Sequence, residues 1–351
     1  MAHLRRGQGL GVAMRTTARI FMCVASVFLT LAGAAHAADC KPLAIINSVK
    51  IESIGNGARY IVPVTIDGKP LKFLLDTGGV VTEITREAAS AMGMTERGSN
   101  IHIIDVHGNK SQTKVIAKTF EMGVMQGKNL DLQVAIASDL PREGVDGILA
   151  GDMFRKFDVD MDFGAMRLNY FSQDHCDGKV VYWTERPIAV VPFTVTGYHI
   201  NIPVTIDGKD LPAIIDTGAD TLMNADELDR VFGVKAGSPE APLLRESQSD
   251  SDLKYYSHSF GNLAIEGVTI ANPNINIVND RVSSQRAPST SIHTMLMDDP
   301  HPKLPPVILG VKVLKQLHVY IAYGEKKLYI SPAGTGESVL FKNAAPTPPA
   351  N

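Results

Sequence analysis

Cysteine is scarce in this chain, with three in 351 residues, and so is any excess of positive charge, the formal net charge being −3. The first scarcity excludes a disulfide-dense scaffold. The second argues against nucleic acid as a partner. No glycine-rich phosphate loop and no serine-nucleophile motif is present, which leaves phosphoryl transfer and serine acyl transfer without their usual anchors. His293, Asp298, Asp299 and His301 lie close together, but their spacing fits no standard zinc motif and the prolines around them indicate a loop. No metal and no cofactor is therefore expected. Long apolar runs are also wanting. The longest, from Ile20 to about Ala34, is shorter than the roughly 20 residues a spanning helix needs.

What is there begins with that run. Arg5, Arg6, Arg15 and Arg19 precede it and Ala35-His36-Ala37 follows it, the pattern of a secretory signal peptide over residues 1–37. An uncleaved membrane anchor is the alternative reading. Asp39 stands before Cys40 where a lipoprotein would need a small residue. Removing residues 1–37 takes away four arginines and no acid, so the net charge of −3 becomes −7. Cys23 leaves with the same segment, and Cys40 and Cys176 remain. In an oxidising compartment two cysteines suggest one disulfide, with two buried thiols as the other possibility.

The rest of the chain is a duplication. "IVPVTIDGKPLKFLLDTGG" from residue 61 matches "NIPVTIDGKDLPAIIDTGA" from residue 201, an offset of 140. The offset persists: Gly68 pairs with Gly208, Gly93 with Gly233, Phe120 with Phe260 and Gly127 with Gly267. Each unit reads as strand, Asp-Gly hairpin turn, strand, then a short helix and further hairpins. Asn224 is a candidate N-cap with Glu227 three residues on. Gly93 and Gly233 sit where a left-handed glycine ends a helix. Each half closes alike, in "GILAGDMFRKFDVDMDFGAMRLNYF" and "VILGVKVLKQLHVYIAYGEKKLYIS", where Gly151 aligns with Gly310. The offset has then grown to 159, so the second half holds 19 extra residues around 279–306, which are either a lid or an inert loop. Strands dominate, and the fold class is mainly β.

An apolar pair followed by Asp-Thr-Gly, with a hydrophobic-hydrophobic-Gly strand downstream, occurs in both halves. In this the chain resembles the pepsin-like and retropepsin-like aspartic proteases over most of residues 58–332. "ILAGDMFRKFDVDMDF" is similar to the pepsin form and "DTGADT" to the retroviral form. The resemblance implies two β lobes facing across a substrate cleft, residues 38–172 and 173–334, with residues 335–351 as a flexible Pro/Ala tail. It implies that Asp76 and Asp216 are the catalytic pair and that Thr77, Gly78, Thr217 and Gly218 complete the active-site loops. Gly79, Ala219 and Asp220 follow the loops and are candidates for substrate contact. Asp220 is either that or a solvated acid. The chain departs from pepsins in having Gly79 and Ala219 where Ser or Thr is usual, and in offering only His102 and His107 in the hairpin that carries the flap tyrosine. It departs from the retroviral enzymes in having Val311 after Gly310, where those have Arg.

Two carboxylates held a few ångströms apart share one proton, so one takes a proton from water while the other protonates a carbonyl. The expected activity is an exported, periplasmic aspartic endopeptidase, monomeric, acting on proteins or peptides and not inserted in a membrane after signal cleavage. The alternative is a non-catalytic relative that binds peptides or a protein in the same cleft.

Overall fold

The computed structural model describes residues 40–104, 110–135, 140–196, 198–246, 253–279, 295–296, 305–333 and 339–341. The signal segment, His107, His293, Asp298, Asp299 and His301 lie outside them, as does most of the insert around 279–306 and of the tail.

The opening hairpin of each half follows from its turn. Strands Arg59–Ile66 and Lys69–Leu75 pair antiparallel around Asp67-Gly68, as His199–Ile206 and Lys209–Ile215 pair around Asp207-Gly208. All four turn residues have positive φ, between 44° and 77°. That is the mirror-image turn whose twist matches paired strands, and Asp-Gly tolerates it well. The turn carboxylates are used again: Asp67 accepts from the Thr119 amide at 2.8 Å and Asp207 from the Asn262 amide at 2.7 Å. Each hairpin is thereby tied to its own sheet.

Val62, Val64 and Ile66 point inward with Pro63 exposed between them, the alternation of a strand with one wet face. Phe73, Leu74 and Leu75 are buried without alternation. The reason is a parallel neighbour: Leu74 lies opposite Ile148 in strand Gly147–Leu149, as Ile214 lies opposite Ile308 in Val307–Leu309. Strands covered on both faces read as continuous apolar runs.

The short helices are capped as the residue types demand. Thr85 accepts from the Ala88 amide ahead of Arg86–Ala91, and Asn224 from the Asp226 amide ahead of Ala225–Phe232. Gly233, at φ 70°, ends the second helix. Glu227 holds Arg230 on the helix surface. The segment after Phe260 forms three strands, Asn262–Ile265, Val268–Ala271 and Asn274–Asn279. Two strands around one glycine turn are the sequence expectation there.

The described strands form three sheets. One is built mainly from the first half and one from the second. The third is shared: strands Ile45–Lys50, Arg167–Phe171 and Asp158–Asp162 continue directly into Leu317–Ala322, Lys327–Pro332 and Ala189–Pro192. The seam is the antiparallel pairing of Val159 with Ile321 and Met161 with Val319. Cys40 and Cys176 form a disulfide closing a separation of 136 residues beside this sheet. In the chain-entropy account a loop of that length contributes about 5 kcal/mol. Two small pairings complete the fold. Val339–Phe341, within the segment read as a tail, adds to Val268–Ala271, and Met295–Leu296 of the insert pairs with Ile103–Ile104 of the first half.

Candidate active site

Asp76 and Asp216 each stand one residue beyond a doubly covered strand. Their amides donate to the carbonyls of Leu149 and Leu309, both at 3.0 Å, so each aspartate is pinned to the parallel neighbour of its own strand. The loops then meet. The Thr77 amide donates to Thr217 Oγ1 at 3.0 Å and the Thr217 amide to Thr77 Oγ1 at 3.1 Å. Each hydroxyl in turn donates across to the opposite strand, Thr77 to the Ile215 carbonyl and Thr217 to the Leu75 carbonyl. All four groups are buried. This reciprocal lattice needs a hydroxyl that both accepts and donates, which is why threonine follows each aspartate.

Glycine is required next by space. A Cβ on Gly78 would lie 2.2 Å from Asp216 Cγ, and one on Gly218 would lie 2.5 Å from Asp76 Cγ. Each glycine lies against the opposite aspartate, which brings the two carboxyl groups side by side. Both aspartates are fully buried.

The pair is not symmetric. Asp76 Oδ1 accepts from two amides, Gly78 at 2.9 Å and Gly79 at 2.8 Å. For Asp216 Oδ1 the described contact of this kind is the Gly218 amide at 2.8 Å. Burial pushes the Asp216 carboxyl well above the usual range, and the charge of Asp76 and the hydrogen bond to it push the same way. The Gly218 amide and the charge of Arg59 oppose them. Amide donors favour the ionised form. Two such donors on Asp76 against the one described for Asp216 favour charge on Asp76.

The residues after each loop have structural duties. The Gly79 carbonyl accepts from the Gly151 amide at 3.0 Å and the Ala219 carbonyl from the Val311 amide at 2.8 Å. Gly79 and Ala219 are buried, and Asp220, partly buried, accepts from Asn276 at 3.3 Å.

Sequence reasoning missed four residues at this place. Thr82 donates to Asp152 at 2.7 Å, and burial raises the carboxyl of Asp152. Arg59 reaches the Gly218 carbonyl. Tyr198, with φ of 88°, packs beside Gly151 under the Arg155 guanidinium, which lies 4.3 Å from its ring centre. Asp152 carried a signal, since it directly follows the aligned Gly151. The others carried none that a linear pattern could show. Among the described residues no group of three or more metal-ligating side chains occurs, and no helix is long and apolar enough to cross a membrane.

Residues 62–153 match a family model described as aspartyl protease. No curated protein matches the chain in sequence. Among solved structures, the aspartic proteinase from Irpex lacteus is similar at 16% identity with a TM-score of 0.46, over 84% of this chain and 100% of that one. The matched segment contains Asp76 and its loop and spans 92 of the 351 residues, from 62 to 153.

Proposed function

We propose that the chain is an exported aspartic endopeptidase in which Asp76 and Asp216 activate water against a peptide bond. The observation that carries this reading is the buried carboxyl pair, cross-braced by two threonines and served by unequal amide donors. Asp76, the carboxylate, takes a proton from water as the oxygen attacks the peptide carbonyl. Asp216 gives its proton to the carbonyl oxygen, so the tetrahedral intermediate forms without free oxyanion. Asp76 then gives the proton it took to the amine nitrogen as the C–N bond breaks, while Asp216 takes one back from a hydroxyl of the intermediate, which restores the starting state. Export is supported by the pattern of residues 1–37 and by the Cys40–Cys176 disulfide, which suits an oxidising compartment such as the periplasm.

Incubation with a mixed peptide library and mapping of the products tests the reading. Internal cleavages that pepstatin suppresses are expected. Peptides retained intact by a well-folded protein would overturn the enzyme in favour of a binding protein.

A further inference from the structure

Arg59 opens the first strand of the opening hairpin, yet its contacts run to the other half of the molecule. Its Nη1 donates to the Gly218 carbonyl at 3.2 Å, across 159 residues of sequence, while its Nε lies 3.4 Å from Glu143 Oε2. Its side chain is only 21% exposed against 40% for Glu143. A guanidinium presents several donors in one rigid plane, so a single side chain can hold a carboxylate and a carbonyl at once. Gly218 is the residue that abuts Asp76 and whose amide binds Asp216. At offset 140 the second half has His199 in place of Arg59.

Given the protease reading above, on which this step rests, we infer that Arg59 is a positioning residue for Asp216: anchored by Glu143, it holds the Gly218 loop, whose amide binds Asp216, and fixes a positive charge beside the pair. Burial pushes the Asp216 carboxyl up, Asp76 adds to that, and Arg59 acts in the opposite direction. The charged groups facing this place are Asp76 toward Asp216, Glu143 toward Arg59, and Lys315, whose Nζ donates to the Gly57 carbonyl at 3.4 Å. Arg59 thus works against the upward pull of burial on the Asp216 carboxyl.

The test uses two substitutions with opposite signs. Arg59→Gln removes a positive charge, so Asp216 holds its proton to higher pH and the alkaline limb of the kcat/KM profile moves up by roughly 0.5–1 pH unit. Glu143→Gln, at an exposed site that tolerates change, removes a negative charge and moves the same limb down. Arg59→Lys retains the charge without the planar fork, and keeps the limb near the wild-type position while kcat falls. Titration of the carboxyl carbons by NMR, with 13C-labelled aspartate, follows the same shifts without turnover. Limbs and titrations that stay fixed in both glutamine variants, or that move in one direction in both, would overturn the inference. A wild-type protein without peptidase activity would instead remove the protease reading, and the NMR titration would still decide the role of Arg59.

Discussion

At the scale of single residues, the proposed mechanism gives the two aspartates different roles, and loss of either is expected to stop it. Asp76→Asn and Asp216→Asn each leave one carboxyl in a pair that must share a proton, and each is expected to lower kcat by on the order of 10²–10⁴-fold with the fold retained. Circular dichroism beside the rate measurement separates loss of chemistry from loss of structure. An asparagine variant with near-normal turnover would refute the mechanism. The pH profile depends on the neighbours of the pair. A carboxyl held above its ordinary range stays protonated to higher pH, so the raised Asp216 moves the alkaline limb upward. The structure shows no side-chain hydroxyl at positions 79 and 219 to counter this, the residues being Gly79 and Ala219. A weakly acidic optimum is expected, and Ala219→Ser, by donating to the charged form of Asp216, should move the alkaline limb toward acid. A wild-type optimum below about pH 3.5 would contradict this. Gly79→Ser is the poorer test, because a Cβ there would lie 3.0 Å from both Asp76 Oδ2 and Ala150.

Among elements, the strand–loop units that bear Asp76 and Asp216 are rigid because each is bonded to the other. Thr217→Val removes the acceptor of the Thr77 amide and the donor to the Leu75 carbonyl, leaving two buried backbone groups without those partners. Each such group costs about 1–3 kcal/mol, so the variant should lose several degrees in Tm and a larger share of kcat than of KM. Thr217→Ser keeps the hydroxyl and should recover most of both. These units were legible in the sequence because duplication prints the same string twice at one offset, and because Asp-Gly turns and doubly buried strands impose local composition. Contacts such as Arg59 with Gly218 were not legible. They join residues 159 apart, and no periodicity records which strand end will face which loop. The closing hairpins were readable one by one, but not their fusion into one sheet. The polar residues at that seam, Asp158, Asp160 and His318, are buried.

On the scale of the whole molecule, the shared sheet binds the two halves through a buried polar network that a purely apolar seam would not need. Asp160 accepts from Tyr182, from Asn169 at 2.8 Å, and meets His318 Nε2 at 2.5 Å. Asp158 meets His175 Nε2 at 2.6 Å and accepts from the Tyr323 amide at 2.9 Å. His175 adjoins Cys176, so the disulfide and the network stand at the same joint. Reduction, or Cys40→Ser with Cys176→Ser, should cost about 2–5 kcal/mol and lower Tm. The His175–Asp158 pair adds a pH dependence whose sign is fixed. Burial opposes a charged His175, but the Asp158 carboxylate and the Cys176 carbonyl outweigh it and its pKa is raised above the usual 6.5. The stability it contributes is then complete below pH 6.5 and is lost as pH rises through the higher folded value. Burial also raises Asp158, despite His175, and a carboxyl raised on folding likewise favours the folded state on the acid side of its titration. The raised His175 therefore makes Tm fall as pH is raised upward from 6.5. His175→Gln retains a polar side chain without the titration and should flatten that slope while lowering Tm at pH 6.5. A melting series in buffers matched for ionic strength measures it, and a wild-type slope that rises over this window, or one that the glutamine leaves intact, would show that the joint does not respond to pH through His175.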